Sequence, residues 1–316
     1  MSAPVRLAKK DLLSISDLSP EGLSLLLKAA VLTKAKQKAG EVFVPLLGKT
    51  LALIFHKPSA RTRISFDVGM YQLGGHSVLL TDSEIGLGKR EPVKDIARLL
   101  SRLCDGVMIR TFDQGMVEEL AAHAAVPVIN GLTDFEHPCQ ILADLLTLQE
   151  KKGALKGLKV AYVGDGNNVA NSWALAAGLC GVELAIASPK DYTLSPQVEA
   201  EARGTIKASG MGKLTLTTEP AAAVKGADAV YTDVWTSMGQ EDEREERLDR
   251  FSGFQINHAL MSAAKKDALV LHCLPAHRGE EIDEATFEAH QATLFDQAEN
   301  RLHAQKALLV LLMGGN

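Results

Sequence analysis

Five consecutive residues, Ser59-Ala60-Arg61-Thr62-Arg63, gather two guanidinium groups and two hydroxyls just after a short apolar run. The run, residues 51–55, reads as a strand, and the residues after it read as a helix. A strand-to-helix turn aims free backbone amides and the positive end of the helix at one spot, which suits a phosphate. Charge-assisted donors from the arginines would add to it. The bland alternative is an ordinary helix cap with solvated arginines. Arg110 stands just past another strand-like run, residues 106–109, where open α/β sheets bind ligands; a surface arginine is the commoner case. His137-Pro138-Cys139-Gln140 opens a further helix. Its histidine and glutamine could hydrogen-bond a carbonyl oxygen and stabilise the oxyanion formed on nucleophilic attack. The competing reading has His137 as a cap and Cys139 as buried filler.

The second half carries three more candidates. Gly164-Asp165-Gly166-Asn167-Asn168 resembles the start of a dinucleotide fingerprint, but Val169 stands where the third glycine belongs. The following strand ends in Ala187-Ser188-Pro189-Lys190, without the acid that would hold a ribose. The loop therefore offers asparagines to a small polar ligand. Asp233-Val234-Trp235-Thr236-Ser237-Met238-Gly239 puts an aspartate and a serine four apart after a strand, a spacing that can hold an ammonium group. Trp235 reads as packing. His272-Cys273-Leu274-Pro275 ends the last strand; Cys273 with a nearby aspartate could accept a proton or hold an amine, against the alternative of a buried strand cysteine. Neighbours on a strand point to opposite faces, which argues against His272 and Cys273 sharing a metal ion. No metal site is expected.

The elements that must position these residues alternate between strand-like and helix-like for most of the chain, the pattern of an α/β protein with parallel sheets. Strands are expected at residues 51–55, 76–81, 106–109 and 126–129, and helices follow each. In the first of these helices Ile64, Val68 and Tyr71 share a face, closed by Gly74-Gly75. Pro92 and Pro138 open helices, the latter reaching Lys152, and residues 153–157 read as a hinge. The alternation restarts with strands at residues 158–163, 182–187, 214–217, 229–232 and 269–274, and helices at residues 168–180 and 195–209. Residues 242–251 are charge-rich, a solvated loop or helix face, or else a mobile lid. Residues 298–313 read as a helix that crosses back onto the first half.

With 316 residues the chain exceeds what one core usually serves, so two domains are expected: residues 1–150, residues 151–300, and a C-terminal helix, residues 301–316, packed on the first. A net charge of −5 argues against nucleic acid, and any anion site must be built locally. Four cysteines without close pairing or zinc spacing fit a reducing compartment. No apolar run has membrane-spanning length, and the cytoplasm is the expected location.

Together and in this order the motifs resemble the carbamoyltransferase family from end to end. Ser59 to Arg63 is similar to that family's Ser-Thr-Arg-Thr-Arg signature, with Ala60 in place of a threonine. His137 to Gln140 matches its His-Pro-x-Gln motif, and Asp233 with Ser237-Met238-Gly239, like His272-Cys273-Leu274-Pro275, resembles the ornithine-specific versions. The resemblance implies two doubly wound α/β domains, each a parallel sheet flanked by helices. It implies a homotrimer with active sites at subunit interfaces, and transfer of a carbamoyl group from carbamoyl phosphate to the δ-amine of ornithine without metal or organic cofactor.

Carried over residue by residue, it implies that Ser59, Ala60, Arg61, Thr62 and Arg63 hold the phosphate and that Arg110 touches phosphate and carbamoyl oxygen. His137, Pro138, Cys139 and Gln140 belong to the carbamoyl phosphate site, His137 and Gln140 polarising the carbamoyl group. Asn168 and the backbone of Met238 bind the ornithine carboxylate; Asp233 and Ser237 hold the α-ammonium. Cys273 and Leu274 sit beside the reacting groups, and Arg301 reaches the carbamoyl oxygen. Arg110, His137, Cys273 and Arg301 are the expected catalytic set, with Cys273 and Asp233 favouring the neutral amine. Glu84 falls where many relatives carry a glutamine given to the neighbouring subunit; a carboxylate there needs a partner such as Lys89 or Arg90. The rival readings are a carbamoyltransferase for acetylornithine or putrescine, a nicotinamide-dependent enzyme, and a non-catalytic binding relative.

Overall fold

Parallel strands lying side by side need long crossovers, and the chain supplies a helix for nearly every one. The structure, a computed structural model, describes residues 7–237, residue 239 and residues 241–314. In chain order the elements are α1 (Pro20–Lys38), β1 (Thr50–Phe55), α2 (Ala60–Gln72), β2 (His76–Thr81), α3 (Asp82–Ile85), α4 (Val93–Leu103), β3 (Gly106–Arg110), α5 (Gln114–His123), β4 (Val128–Leu132) and α6 (Pro138–Lys152). There follow β5 (Lys159–Val163), α7 (Asn168–Cys180), β6 (Glu183–Ala187), α8 (Pro196–Ser209), β7 (Lys213–Thr217), α9 (Pro220–Val224), β8 (Ala229–Thr232), α10 (Arg244–Arg250), α11 (His258–Met261), β9 (Leu269–His272) and α12 (Glu284–Met313).

The chain forms two units, one of Met1–Leu146 with Glu299–Asn316, the other of Thr147–Ala298. The divisions fall inside α6 and α12, not in the glycine-flanked segment, residues 153–157, that the sequence marks as a hinge. The C-terminal turns of α12 belong to the first unit, as expected.

The first unit holds a four-stranded parallel sheet in the order β2-β1-β3-β4. Its strands β1, β3 and β4 are mostly apolar and buried, as a sheet covered on both faces requires, while the edge strand β2 is partly exposed. Ala52, Ile54, Val107 and Ile109 pack with Ile96 and Leu100 of α4 and Val117 and Leu120 of α5. Each such side chain contributes about 1.5–3 kcal/mol on burial. The second unit holds a five-stranded parallel sheet in the order β7-β6-β5-β8-β9. Its core sets Val163, Val230 and Val270 against Trp235, Phe251, Phe254 and Phe287.

In each sheet the strand order reverses once. The first sheet grows from β1 to β2 on one side and to β3 on the other; the second grows from β5 to β6 on one side and, later, to β8 on the other. The crevice at the carboxyl ends of such a pair is where this architecture receives ligands. Helix starts sit at both places: Ser59 caps α2 after β1, its side chain accepting from Thr62 N, and Asn167 caps α7 after β5, accepting from Val169 N and Ala170 N.

Two local expectations gain detail, and a third is corrected. The stripe Ile64, Val68 and Tyr71 does lie on one face of α2, but that face is exposed; Phe66, Gly69 and Met70 are the buried ones. Gly69 is where α12 comes close, since a Cβ there would lie 3.3 Å from Lys306 Cγ. The charge-rich stretch takes the helix-face reading: α10 forms and is mostly exposed, with Arg247 alone buried among its neighbours. The last strand ends at His272, two residues early, and Leu274 takes φ +56°, outside the extended region.

Candidate active site

At the β1/β3 crevice, Ser59 spends its hydroxyl locally. Its Oγ accepts from Thr62 N at 3.2 Å and reaches Thr62 Oγ1 at 3.1 Å. The Arg63 amide bonds Ser59 O, so Ala60 and Arg61 form the first turn of α2. Arg61 is half-buried, whereas Arg63 lies on the exposed side of the helix. Thr62 is fully buried and accepts from Arg301 Nη2 at 2.7 Å, with Arg110 Nη1 at 3.5 Å. Register places Arg110 beside Phe55 at the end of β3, and a bulge in the β3–β4 pairing falls at that residue.

His137 and Gln140 arrive from the start of α6. Thr133 Oγ1 accepts from Glu136 N at 3.0 Å and Phe135 N at 3.2 Å, fixing the turn before them. The buried Glu136 carboxylate in turn accepts from Ile15 N at 3.2 Å. Gln140 Oε1 accepts from Arg301 Nη1 at 3.1 Å, while its Nε2 donates to Asp144 Oδ1 at 2.8 Å. Gln140 is thereby oriented amide-nitrogen to Asp144 and carbonyl to Arg301. Burial holds the His137 imidazole well below the usual histidine range, and the positive fields of Arg301, Arg110 and Arg61 push the same way. A neutral histidine amid three guanidiniums is a local cationic site on an acidic protein, fit for a phosphorylated anion. Pro138 begins α6, and Cys139 points inward, its Sγ donating to Asn130 O at 3.3 Å. Burial pushes that thiol up to about 12, so it is no nucleophile at neutral pH. Lys57, just ahead of the turn, is buried, pairs with Asp134 and lies 4.3 Å from the Phe112 ring centre.

At the β5/β8 crevice, Asp233 is the hub. Its Oδ2 accepts from Asn167 Nδ2 at 2.8 Å, its Oδ1 from the Cys273 thiol at 2.8 Å and from Val234 N at 2.8 Å. Tyr162 OH donates to Asn167 Oδ1 at 3.1 Å. Asn168, the first residue of α7, is half-buried beside this group, and Ser237 is half-buried four residues beyond Asp233. Met238 lies outside the described residues. Leu274 N donates to His272 Nδ1 at 2.8 Å, which leaves His272 Nε2 to carry the proton facing Glu281 Oε1 at 3.0 Å. Both side chains of that pair are fully buried.

The argument that His272 and Cys273 cannot face one ion fails. Cys273 stands past the strand end, and one donor atom each from Asp233, His272 and Cys273 lie within 4.8 Å of one another. Those donors are engaged with protein partners as described. Glu84 also differs from expectation: its carboxylate accepts from Thr81 N at 2.8 Å and Thr81 Oγ1 at 2.7 Å. Those bonds hold its acid below the ordinary range, while Lys89 pairs with Asp82 and Arg90 donates to the Glu84 carbonyl.

Several residues of the two crevices escape sequence reading. Asn167 was visible as one of two asparagines, but not as the one that holds Asp233. Asp144, four residues after Gln140 on α6, has the helical spacing that could have revealed it. Asp165 and Arg247, joined at 2.9 Å, carry no signal but charge. Burial lifts the Asp165 acid to about 6 against the opposing pull of Arg247.

Two parallel-sheet units, each with polar and charged side chains at its switch point, define a two-domain α/β enzyme of the group-transfer kind. Residues 10–150 match the family model for the aspartate/ornithine carbamoyltransferase carbamoyl-P binding domain, and residues 156–312 match that for the Asp/Orn binding domain. The chain belongs to the aspartate/ornithine carbamoyltransferase family. It is 53% identical over 313 residues, 99% of each chain, to an ornithine carbamoyltransferase of Anoxybacillus flavithermus. It is 51% identical to one of Thermococcus kodakarensis, over 98% of each chain. Among solved structures, ornithine carbamoyltransferase from Pyrococcus furiosus aligns with a TM-score of 0.94 at 49% identity, over 99% of each chain.

Proposed function

We propose that this chain is an ornithine carbamoyltransferase, converting carbamoyl phosphate and L-ornithine into L-citrulline and phosphate. The observation that carries the reading is topological. The arginine-rich turn with His137 and Gln140 occupies the switch point of the first sheet, and the Asp233 group occupies that of the second. Full-length relatives near 50% identity bear that name, one of them designated anabolic, which favours a role in arginine biosynthesis.

The cationic crevice with Ser59, Ala60, Arg61, Thr62, Arg63 and Arg110 holds the phosphate. The neutral δ-amine attacks the carbamoyl carbon and the carbamoyl oxygen takes up negative charge; the carbonyl then re-forms as phosphate departs with the C–O electron pair, and the proton lost by the attacking nitrogen goes to the departing phosphate. Arg110, Arg301 and neutral His137 donate toward the oxygen as charge develops. An alkyl amine has an ordinary pKa near ~10.4, so the site must take the amine in its unprotonated form. Asp233 and Cys273 are the groups for that, with Asp233 and Ser237 on the α-ammonium, Asn168 and Met238 on the carboxylate, and Leu274 beside the transferred group. Aligning two substrates contributes strongly, since effective molarities reach about 10⁵ M or more. Neither metal nor organic cofactor takes part in this scheme.

The enzyme is read as a homotrimer with shared sites. Support comes from the exposed apolar strip of Ile64, Val68 and Tyr71 on one face of α2. Light scattering should give three times the 33.9 kDa chain mass; a monomer at working concentration overturns this. Four free cysteines support a cytoplasmic location, and no helix among the described residues is long and apolar enough to cross a membrane.

The test is a colorimetric citrulline assay with ornithine, acetylornithine and putrescine in parallel. Product from ornithine alone is expected. Turnover of putrescine at a matching rate would remove the assigned role of the Asp233 and Ser237 pair.

A further inference from the structure

Arg247 occupies an unusual place for a residue of a charge-rich surface helix. Its side chain is 7% exposed, and its donors go to three different segments. Nη1 donates to Asp165 Oδ2 at 2.9 Å and to Trp235 O at 3.0 Å, and Nε donates to Glu243 Oε2 at 2.9 Å. The guanidinium carbon lies 4.9 Å from the centre of the Tyr192 ring. Asp165 precedes Asn167 by two residues and Asn168 by three; Trp235 lies midway between Asp233 and Ser237. One guanidinium therefore fastens together both strand ends of the β5/β8 crevice.

The surroundings reinforce the clasp. Gly166 N donates to Tyr192 O at 2.7 Å, and a Cβ on Gly166 would lie 2.4 Å from Thr193 C, so the turn is pressed against the loop that carries Tyr192. Trp235 stacks on Phe251, the residue after α10, with ring centres 5.6 Å apart. A guanidinium suits the place because its planar fork reaches separate acceptors at fixed angles and stacks on a ring, which an ammonium does not.

We propose that Arg247 is a positioning residue for the amine substrate: by holding Asp165 and the Trp235 carbonyl together it sets the spacing between Asn168 on one side and Asp233 and Ser237 on the other. The proposal rests on the assignment of those three residues to ornithine. It differs from a merely structural ion pair in its consequence. Misplacement of a binding group by a fraction of an ångström affects one substrate, not both.

The experiment compares the wild type, R247K, D165N and E243Q by steady-state citrulline formation, with each substrate varied in turn, and by thermal melting. R247K keeps the charge and loses the fork; it should raise the ornithine KM at least about tenfold and leave the carbamoyl phosphate KM within about twofold. D165N, isosteric and still an acceptor, should move the same constant in the same direction, and serves if R247K does not fold. E243Q alters only the partner on the helix of Arg247 itself and should leave the ornithine KM within about twofold. A lowered melting temperature with an unchanged ornithine KM, or a parallel rise of both KM values, overturns the proposal. A wild-type chain that makes no citrulline from ornithine removes the functional reading and this role with it; a wild type that does, beside variants with normal KM, removes the positioning role alone.

Discussion

Arg301 is bound to Thr62, 239 positions away in sequence, by a 2.7 Å hydrogen bond from Nη2 to Oγ1, while Nη1 reaches Gln140 Oε1 at 3.1 Å. One guanidinium from α12 thus fixes a hydroxyl at the start of α2 and a carbonyl at the start of α6. All three side chains are buried, and a guanidinium so held is pre-aimed before any substrate arrives. R301A should lower kcat by about 10²- to 10³-fold, the usual cost of losing a donor to a developing oxyanion. Pre-steady-state and steady-state citrulline formation check this; a kcat within about threefold of wild type would remove Arg301 from the catalytic set.

His137 should stay neutral throughout the working pH range. Burial and three neighbouring guanidiniums all lower its pKa, so the proton that an ordinary histidine binds near 6.5 is refused in the folded protein. For activity, the profiles of kcat/KM for wild type and the slower H137Q should run parallel between about pH 6 and 8. An acid limb near the ordinary histidine pKa, present in wild type and absent in H137Q, would show that the cation forms. For stability the sign is fixed too. The unfolded chain takes up this proton and the folded chain does not. Acidification below the ordinary pKa therefore favours unfolding, by up to about 1.4 kcal/mol per pH unit for this one group. His56, His290 and His303 are shifted the same way by burial and add to that slope.

Asn167 separates a cap from a recognition contact. Its Oδ1 caps α7, and its Nδ2 donates to Asp233 Oδ2 at 2.8 Å. N167S keeps a good capping oxygen and loses the donor, so its stability should fall by no more than about 1 kcal/mol while ornithine KM rises. N167A loses both, and should melt lower than N167S. Equal ornithine KM in wild type and N167S would show that the Asp233 contact has no part in binding.

The strand ends were legible because short apolar runs and the turn residues after them are local signals. Ser59, Arg110, Asn168 and Asp233 all follow such runs, and the α/β alternation was enough to put them at carboxyl ends of parallel strands. Which strand neighbours which is not local, so the coincidence of both motifs with a reversal of strand order appears only in the sheets. The Ile64, Val68 and Tyr71 stripe shows a further limit. Helical spacing reveals that residues share a face, but an apolar face turned to solvent has the same spacing as one turned to the core. Arg247 was hidden for a related reason: in a run of charges nothing in sequence marks the one that folding buries, since its partners Asp165 and Trp235 are set by tertiary packing.

The four cysteines should differ in reactivity by environment. Cys139 and Cys180 are buried and their thiols are pushed up to about 12, while burial raises Cys104 more modestly. Alkylation of the native enzyme at about pH 8, followed by peptide mass spectrometry, should leave Cys139 and Cys180 unlabelled. Labelling of Cys139 at the rate seen in denatured protein would contradict its inward orientation.

Cys273 and Asp233 link the end of the last strand to the loop after β8, with the thiol donating to Oδ1 at 2.8 Å. Because Asp233 also accepts from Asn167 and Val234, removing the thiol leaves a carboxylate still held but with one site open beside the incoming amine. C273A should therefore raise ornithine KM and lower kcat, with carbamoyl phosphate affinity, measured by calorimetry, within about twofold of wild type. C273S restores a donor of similar size and should recover part of the ornithine KM but less of kcat, since a hydroxyl donates without the polarisable sulfur. D233N keeps the shape and removes the charge, and should cost more than either cysteine change. An equal loss of affinity for both substrates in C273A would mean that the residue supports the protein at large, and the amine would need another partner.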